Sequence, residues 1–435
     1  MPALHPQDHP QRRTLADEVH ARPPQPLSTP ARASYIAVLV DPDARDQELR
    51  HLAELCRQHG VTEPAAGATH WRTQLGAAVL KWERHGEFSG YTISTAGLGS
   101  VPFGAPASSL LPAAWLTGVP GRTVAAVHAE VTAAQDLGMQ ADGSPALPDP
   151  AATSARFMGP SIVGSEIAEG AALLYTDFRV HDDGCSRMWL VNRRLTDPQT
   201  GRMLQRLFEI EAYRVLALLA LPIARRQGPR ISAIETSLAT LTDGMSRDGA
   251  DDESLLHELM ALAAEVESGI AATQFRFGAC QAYHGLVQQR IAELRERRVP
   301  GLQTVDEFMS RRLAPAVATC INSAQRLKGL AERIGQASAL LATRVGIERE
   351  HQNVSLLASM DRRAKLQLRL QQTVEGLSVA AIAYYVAGLI GYIAKGVRSS
   401  GVPIDPDMTV AVAVPLAVVV LLWSLRRMRR RLAHD

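Results

Sequence analysis

The sequence has few cysteines. Its 435 residues contain four, which are scattered along the chain without a C-x-x-C pair or a histidine at ligand spacing: Cys56, Cys185, Cys280 and Cys320. Disulfide frameworks and zinc sites need cysteines at close, regular spacings. The pattern therefore argues against both kinds of site and predicts reduced, mostly buried thiols in a cytoplasmic domain.

An excess of charge of either sign is also missing. Lysine and arginine together number 46 and aspartate and glutamate 44, so the formal net charge is only +2. A protein that binds nucleic acid carries a basic surface, and this composition predicts no nucleic-acid partner. The first 13 residues hold prolines and charges but no apolar run, so we expect no signal peptide that would export the chain.

The motifs of common enzyme and ligand sites are absent as well. The segment 243–253 has the acidic content of a calcium-binding EF-hand loop but not its order, and 97–104 is rich in glycine without the spacing of a nucleotide-binding loop. Neither a G-x-S-x-G elbow nor an H-E-x-x-H helix occurs. We therefore predict no catalytic residues, no cofactor and no protein-bound metal.

Two long apolar stretches lie near the end of the sequence. They cover Leu377–Ala394 and Met408–Leu425, and neither holds a charged residue. About 20 residues of α-helix span the hydrocarbon core of a bilayer, and each stretch is close to that length. We predict a transmembrane hairpin of two helices, with the lipid bilayer as a partner. The alternative is that one stretch is a buried core helix, which two tandem stretches with basic flanks disfavour.

Positive charges predict the orientation of this hairpin. Lysines and arginines lie before the first stretch and after the second: Arg362, Arg363, Lys365, Arg369, Arg426, Arg427, Arg429, Arg430 and Arg431. The connecting loop has only Lys395 and Arg398, set against Asp405 and Asp407. Because basic flanks stay on the cytoplasmic side, we expect a multi-pass protein of the bacterial inner membrane with both termini in the cytoplasm.

Composition and periodicity divide the chain into consecutive parts. These are a Pro/His-rich arm (1–30), an α/β sheet domain (31–195), a helical domain (196–322), a stalk helix (323–373), the hairpin (374–425) and a basic tail (426–435). The predicted fold class is α+β/α: a cytoplasmic mixed α/β sheet domain, a helical region with the stalk, and the membrane hairpin.

Short runs of β-forming residues predict the strands of the sheet domain. The strands are Ser34–Val40, Ala77–Trp82, Phe88–Thr95, Thr123–Val131, Ser161–Ile167, Ala171–Val180 and Ser186–Asn192. Hairpin turns are expected at His85-Gly86 and at Asp183-Gly184.

Helices are predicted before, within and after the sheet. They cover Arg12–His20, Asp46–His59, Ala105–Leu116, Asp197–Leu221, 230–242, 252–298 and 304–322. The stalk adds apolar residues at heptad spacing, namely Leu327, Leu330, Ile334, Ala337, Leu341 and Val345. Such a stripe requires partners, either neighbouring helices of the same chain or further copies, and we expect a homo-oligomer.

The best local cluster of charges lies in the N-terminal arm. Asp17, Glu18, His20 and Arg22 fall within six residues, and on a helix Asp17 and His20 share a face. Two carboxylates, an imidazole and a guanidinium could bind a metal or an anion. The favoured alternative is a docking arm whose charges pair with the sheet domain.

A second cluster lies in the segment Tyr175–Gly184. Asp177, Arg179 and His181 occupy alternate positions of a predicted strand and therefore one face of it. That face could line a polar pocket, although the solvated side of an antiparallel strand is the favoured interpretation.

The hairpin contains three candidate pore or packing residues. Glu375 lies at the mouth of the first span, where a carboxylate either functions in a pathway or reaches the interface. Tyr384 and Tyr385, near its middle, are expected to serve helix packing more than a pathway.

Four strings of this sequence resemble a proteobacterial family of uncharacterised proteins, predicted to be membrane-anchored and known chiefly as a domain of unknown function. They are RRTLADEVHARPPQPL, YTDFRVHDDG, RLFEIEAYRVLALLALPIAR and RRAKLQLRLQQTVEGLSVAAIAYYVAGLIGYIAKG. The resemblance covers essentially the whole chain. It implies a membrane anchor and no particular chemistry.

The order of the parts is similar, more distantly, to that of the CorA-type magnesium transporters. That resemblance implies a pentamer in which the first span lines a cation pore. The Gly-Met-Asn motif of those transporters is absent, because the corresponding place reads Gly391-Tyr392-Ile393-Ala394-Lys395. A lysine near the pore mouth is also unfavourable for a divalent cation.

Two functions from different classes follow. The first is an oligomeric scaffold or sensor held at the membrane by the hairpin. The second is a divergent CorA-like channel or transporter for a cation of unknown identity.

Overall fold

The computed structural model describes residues 7–20, 23–138, 148, 153–157, 161–247, 251–399, 401 and 405–432. The chain divides into two compact units. Unit 1 comprises Met1–Ala250 and His257–Ser338, and unit 2 comprises Asp251–Leu256 and Ala339–Asp435.

Unit 1 contains a mixed sheet of nine strands. In chain order the strands are β1 (Ala31–Leu39), β2 (His70–Leu75), β3 (Ala78–Arg84), β4 (Phe88–Ala96), β5 (Arg122–Ala133), β6 (Val163–Ile167), β7 (Ala172–Thr176), β8 (Ser186–Asn192) and β9 (Arg297–Arg298). Their order across the sheet is β2-β3-β4-β1-β5-β8-β7-β6-β9. Only β5 and β8 pair in parallel among the neighbouring strands described; the other pairs are antiparallel. The predicted mixed sheet is confirmed.

Helices of both units account for most of the remaining described residues. They are α1 (Arg12–His20), α2 (Arg45–His59), α3 (Ala113–Thr117), α4 (Asp197–Leu218), α5 (Leu221–Met245), α6 (Asp252–Leu294), α7 (Val305–Arg312), α8 (Ala314–Ser399) and α9 (Pro406–Leu432).

One half of the sheet packs its apolar face against α2 and α3. Leu80, Trp82, Tyr91 and Ile93 point to this face, and all four side chains are buried with residues of α2 such as Leu52. Alternate strand residues share a face, so the period-2 pattern of β3 and β4 selects these side chains. The half formed by β5, β8 and β7 has a second apolar core on the same face, around Tyr175, Trp189 and Val191.

The opposite face of the sheet is covered by α4. Tyr35 of β1 stacks on Phe208 of α4 with ring centroids 5.0 Å apart. Lys81 and Glu83 also lie buried here, 2.9 Å apart, and Lys81 Nζ donates to Gln205 of α4 at 3.3 Å. Charged groups between two elements are tolerated when they are paired in this way.

The helices α5, α6 and the first part of α8 pack together in unit 1. Arg326 of α8 forms a 2.6 Å ion pair with Glu235 of α5, and Arg230 of α5 forms one with Glu265 of α6, also at 2.6 Å. The first stalk residues of the heptad stripe are buried in this packing: Leu327, Leu330 and Ile334. Helices of the same chain therefore cover this part of the stripe.

Unit 2 contains the rest of α8 together with α9. Leu341 is buried, whereas most large apolar side chains that follow it along α8 are exposed. The two helices approach closely at Gly391, where an added β-carbon would lie 3.5 Å from Val410 Cγ2. Asp405 caps α9, because its carboxylate accepts the N–H of Asp407 at 3.0 Å.

Several predicted bounds were wrong because of local geometry that periodicity does not capture. The predicted helix Ala105–Leu116 is split into a 3₁₀ turn, Ala107–Leu110, and α3, since Pro112 lies between them. Helix α4 begins at the predicted Asp197, preceded by Thr196 in a capping box with Gln199, but it ends at Leu218 rather than Leu221.

Two further bounds also differ from the predictions. The segment 304–322 breaks at Leu313, so α8 begins at Ala314 rather than Ser323. Strand β2 was not predicted, because its sequence HWRTQL is polar and its side chains are largely solvent-facing at the sheet edge.

Candidate functional site

The N-terminal cluster lies on α1. Asp17 is exposed there, whereas the side chains of Glu18 and His20, and all of Arg22, lie outside the described residues. Arg12, one of the described charges, forms an ion pair with Asp8 one turn away. The metal or anion site proposed for this cluster stays a prediction.

The second predicted cluster is arranged differently from the expectation. Strand β7 ends at Thr176, so Asp177, Arg179 and His181 do not share a strand face, and that prediction was wrong. The chain leaves the ladder because Phe178 has φ +51° and its N–H donates to Thr176 Oγ1 at 3.2 Å. His181 Nε2 lies 2.9 Å from Asp177 Oδ2, and both side chains are buried while Arg179 is exposed. The solvated-face interpretation therefore fails for Asp177 and His181.

Polar side chains occupy the middle of the α2-facing sheet surface, between its two apolar cores. We call this group the polar centre; it comprises Ser34, His128, Glu130, Arg156, Asp183 and Arg187. The strand register brings it together, because Ser34 pairs with His128 across β1 and β5, and His128 with Arg187 across β5 and β8. Paired residues of adjacent strands lie side by side on one face.

His128 connects two parts of the polar centre. Its Nδ1 lies 3.0 Å from Ser34 Oγ, and its Nε2 lies 3.9 Å from Asp183 Oδ2. Burial lowers the pKa of His128; Arg187 also lowers it, while Asp183 opposes this shift. The neutral imidazole is therefore the favoured form in the folded protein.

Serine, histidine and aspartate are the residue types of hydrolytic triads, but this group does not have the properties of one. Ser34 has 0% of its surface exposed, so a substrate carbonyl has no path to its hydroxyl. The same oxygen also accepts the N–H of Ser108 at 3.0 Å. A catalytic serine must reach the bond that it attacks, which a buried hydroxyl does not. The arrangement is therefore a buried hydrogen-bond relay.

The remaining members of the polar centre hold the segment 153–157 on the sheet. Glu130 accepts the backbone N–H of Phe103 at 2.6 Å and a guanidinium N–H of Arg156 at 3.2 Å. The Arg156 guanidinium lies 4.1 Å from the centroid of the Trp189 ring. Both oxygens of this buried carboxylate have hydrogen-bond partners, so the group has a structural role.

Metal binding finds no support in the described ranges. No three His, Cys, Asp or Glu side chains come close enough together there to hold a metal ion.

The other candidate functional feature is the hairpin of unit 2. By length and composition the end of α8 and the helix α9 are both apolar enough to cross a membrane. Tyr384 and Tyr385 are 78% and 75% exposed, and their rings contact each other with centroids 6.0 Å apart. Glu375 is half-buried two residues before the apolar stretch begins. Because both rings are largely exposed, the predicted packing role would need surroundings beyond this hairpin.

The family model for DUF3422, described as a protein of unknown function, matches residues 7–432. The chain belongs to the DUF3422 family. No curated protein matches it. A solved structure of the full-length CmaX protein is 13% identical and covers 71% of this chain and 94% of its own, with a TM-score of 0.19.

Membership of DUF3422 confirms the predicted family of unknown function. The proteobacterial source and the CorA-type resemblance stay predictions.

The polar centre of this DUF3422 chain was missed at the sequence level. Ser34, His128 and Glu130 come from separate strands, and only the β1-β5-β8 pairing brings them together. Within the sequence, one available signal was the unbroken series of alternate polar residues in β5, from His128 to Thr132, in a strand otherwise rich in alanine and valine.

Proposed function

We propose that this DUF3422 chain is a membrane-anchored module whose unit 1 acts as an oligomeric scaffold or sensor at the cytoplasmic face of the bacterial inner membrane. The observation that carries the proposal is the exposed apolar surface of the hairpin. Leu389 and Leu416 are each about two-thirds exposed, and nothing in the described part of the chain covers them. Burying one such side chain is favourable by about 1.5–3 kcal/mol, so a water-exposed hairpin of this size is strongly disfavoured.

The ends of the hairpin support insertion with both termini in the cytoplasm. The guanidinium of Arg427 lies 5.1 Å from the centroid of the Trp423 ring, at the C-terminal end of the apolar part of α9. Tryptophan and arginine are favoured where a span meets the headgroups. At the other end of the hairpin, the loop side carries Asp405 and Asp407 and few basic residues.

Site-directed labelling in intact cells tests this orientation. Ser399→Cys places a thiol at the loop end of α8, and His9→Cys places one in the arm, both at exposed positions. We expect a membrane-impermeant maleimide added outside spheroplasts to label Ser399→Cys, and to label His9→Cys only after permeabilisation. The unmodified protein is the control for its native cysteines, of which Cys56, Cys280 and Cys320 are buried and Cys185 is partly buried. The proposal is wrong if both variants react only after permeabilisation or if the pattern is reversed.

The exposed part of α8 supports a homo-oligomer. Leu340, Ile347 and Val354 follow one another at intervals of seven residues, and all three are exposed. Apolar residues at this spacing form the seam of helices that wind around each other. A second copy of the same helix offers a matching stripe.

Light scattering of the detergent-solubilised protein, with the detergent mass subtracted, measures the subunit number. We expect more than one subunit, and we expect Val354→Glu to lower the number, because it places a charge in the seam. Ser355→Glu, at the neighbouring exposed position, is the matched control. A monomeric wild-type protein, or equal loss in both variants, would remove the oligomer from the proposal.

A CorA-like cation channel is the second candidate function. The first apolar stretch is the last part of an unbroken helix of 86 residues, as expected where one helix both gates and lines a pore. Asp405, an acidic residue of the loop, also has a structural role, because its carboxylate caps the N-terminus of α9. Cation flux in liposomes separates the two: a pentamer with flux sensitive to Tyr384→Ala supports the channel, and flux equal to that of empty vesicles excludes it.

A further inference from the structure

Unit 1 contains a large cavity that the proposed anchoring function does not use. Its volume is about 640 Å³, and it lies between the turn that joins β6 to β7, the first turns of α4 and the end of α6. Small-molecule sites in proteins typically have volumes of about 300–1,000 Å³. The cavity is therefore large enough for a metabolite.

Three of the residues that line this cavity have an unfavourable backbone conformation. Ala168 has φ +51°, Glu169 φ +60° and Arg295 φ +49°. The left-handed region is unfavourable for a residue with a side chain, because its β-carbon lies too close to the backbone. Such positions are normally filled by glycine or asparagine.

The local structures show which residues these positions would ordinarily hold. The N–H of Gly170 donates to the oxygen of Ile167 at 3.1 Å, so Ala168 and Glu169 are the two central residues of a type I′ turn, where Asn-Gly is preferred. Arg295 directly follows the last residue of α6, where glycine most often ends a helix. Backbone strain of this kind concentrates at functional sites.

The strained residues place two opposite charges at the cavity. Arg295 Nη1 and Glu169 Oε1 are 2.6 Å apart, and their side chains are 68% and 58% exposed. An ion pair this exposed contributes little to stability, because solvent screens its charges. The ion pair is therefore too weak to offset the backbone strain of both residues. Because the pair is exposed, the guanidinium can exchange one anionic partner for another.

Two further arginines of α4 face the same cavity. Arg206 forms a 2.8 Å ion pair with Glu293, whereas Arg202 is exposed and has no hydrogen-bond or ion-pair partner among the described residues. The charged groups that line the cavity are three guanidinium groups and two carboxylates, those of Arg202, Arg206, Arg295, Glu169 and Glu293. The lining thus has one more positive than negative group.

We propose that this cavity binds a small soluble molecule that carries phosphate groups, with Arg202 as the first contact and Arg295 released from Glu169 to form the second. Guanidinium groups bind phosphate oxygens through paired hydrogen bonds, which lysine cannot reproduce. The carboxylate of Glu169 pairs with the Arg295 guanidinium until an anion that binds more strongly displaces it. The proposal does not depend on the hairpin or on the subunit number.

Calorimetric titration of the full-length, detergent-solubilised protein with pyrophosphate tests the proposal. We expect saturable binding at physiological ionic strength, where weak surface attraction is screened. Arg202→Gln should weaken it about tenfold or more, since it removes hydrogen bonds between two charged groups. Arg226→Gln, which removes an exposed arginine of α5, should leave the affinity unchanged.

A second variant pair tests the role of the Glu169 carboxylate. Glu169→Gln should tighten pyrophosphate binding several-fold, because Arg295 no longer has a competing anion. Glu267→Gln removes an exposed carboxylate of α6 and changes the net charge equally, so it should have no effect. The proposal is overturned if the wild-type protein shows no saturable binding, if Arg202→Gln and Arg226→Gln bind alike, or if the two glutamate variants bind alike.

Discussion

A β-carbon on Gly201 would lie 1.7 Å from the backbone oxygen of Gln25. The segment that follows α1 therefore lies directly on the first turns of α4, at a position that only glycine permits. Neighbouring contacts hold the same segment: Leu27 donates its N–H to the oxygen of Asp197 at 3.0 Å, and Ser28 Oγ donates to the Asp197 carboxylate at 2.7 Å. The segment 25–28 of the arm therefore packs on α4 of its own chain through these contacts.

We expect Gly201→Ala to lower the free energy of unfolding by about 1–3 kcal/mol, because the added methyl group forces the arm and α4 apart. Gly278→Ala is the matched control, since Gly278 lies in α6 with nothing within 4 Å of an added β-carbon. That change should stabilise the helix by about 0.5–1 kcal/mol. Thermal unfolding measures both, and limited proteolysis of the arm should be faster only in Gly201→Ala. Equal effects of the two substitutions would contradict the docking.

Glu48 is a second position where one side chain holds several elements. Its carboxylate accepts hydrogen bonds from Trp82 Nε1 at 3.0 Å, the Tyr91 hydroxyl at 2.7 Å and Arg84 at 3.0 Å, and it is fully buried. Removing one member of a buried charged group costs about 3–5 kcal/mol, because the others lose their partner.

We therefore expect Glu48→Gln to destabilise unit 1 by an amount of that order. Glu54→Gln, on the exposed face of the same helix, removes the 2.6 Å surface ion pair with Arg57 and should change the stability much less. Chemical denaturation of the two variants compares them directly. Similar midpoints for Glu48→Gln and the wild-type protein would show that the carboxylate is not stabilising.

Features set by neighbouring residues along the chain could be predicted from the sequence. The strands β3 and β4 follow from their alternation, and α2 from its periodicity and from Gly60, which ends it at φ +65°. The two apolar helices of unit 2 follow from composition alone. In each case the signal lies within one segment.

Features set by contacts between distant segments could not be predicted. Glu48 reads as one more charged residue of an amphipathic helix, and only the pairing of β3 with β4 shows its buried partners. The end of β7 at Thr176 depends on the turned backbone at Phe178, whose ring stacks on Phe308 with centroids 5.1 Å apart. Such packing overrides the β-propensity of the segment, which continues to Val180.

A bidentate ion pair joins the β3–β4 turn to α6. Arg276 donates to both oxygens of Glu87, at 3.1 and 2.6 Å, and both side chains are largely buried. Arg276→Lys keeps the charge but cannot form both bonds, so we expect a loss of about 1–2 kcal/mol. Arg230→Lys, at the more exposed pair with Glu265, should change the stability little. A double-mutant cycle with Glu87→Gln should place the loss in this pair, and additive effects would contradict it.

The buried imidazole of His128 should make the stability of unit 1 depend on pH. Burial lowers its pKa in the folded protein below the ordinary value of 6.5. The unfolded chain then binds the proton more tightly, so stability is unaffected well above that value and falls as the pH drops below it toward the folded-state pKa. His128→Asn keeps a hydrogen-bonding group near Ser34 without a titratable ring, and should lose this part of the dependence.

Unfolding midpoints of the wild-type protein and His128→Asn, measured between about pH 7 and pH 5, compare the two slopes. The wild-type midpoint should fall more steeply with decreasing pH. Asp183→Asn tests the cause, since Asp183 raises the pKa of His128 against the effect of burial. Removing that carboxylate should lower the folded-state pKa further and extend the loss of stability to lower pH. If His128→Asn follows the wild-type curve throughout, the imidazole does not titrate differently in the two states, and the buried relay with Ser34 is not the source of any acid sensitivity.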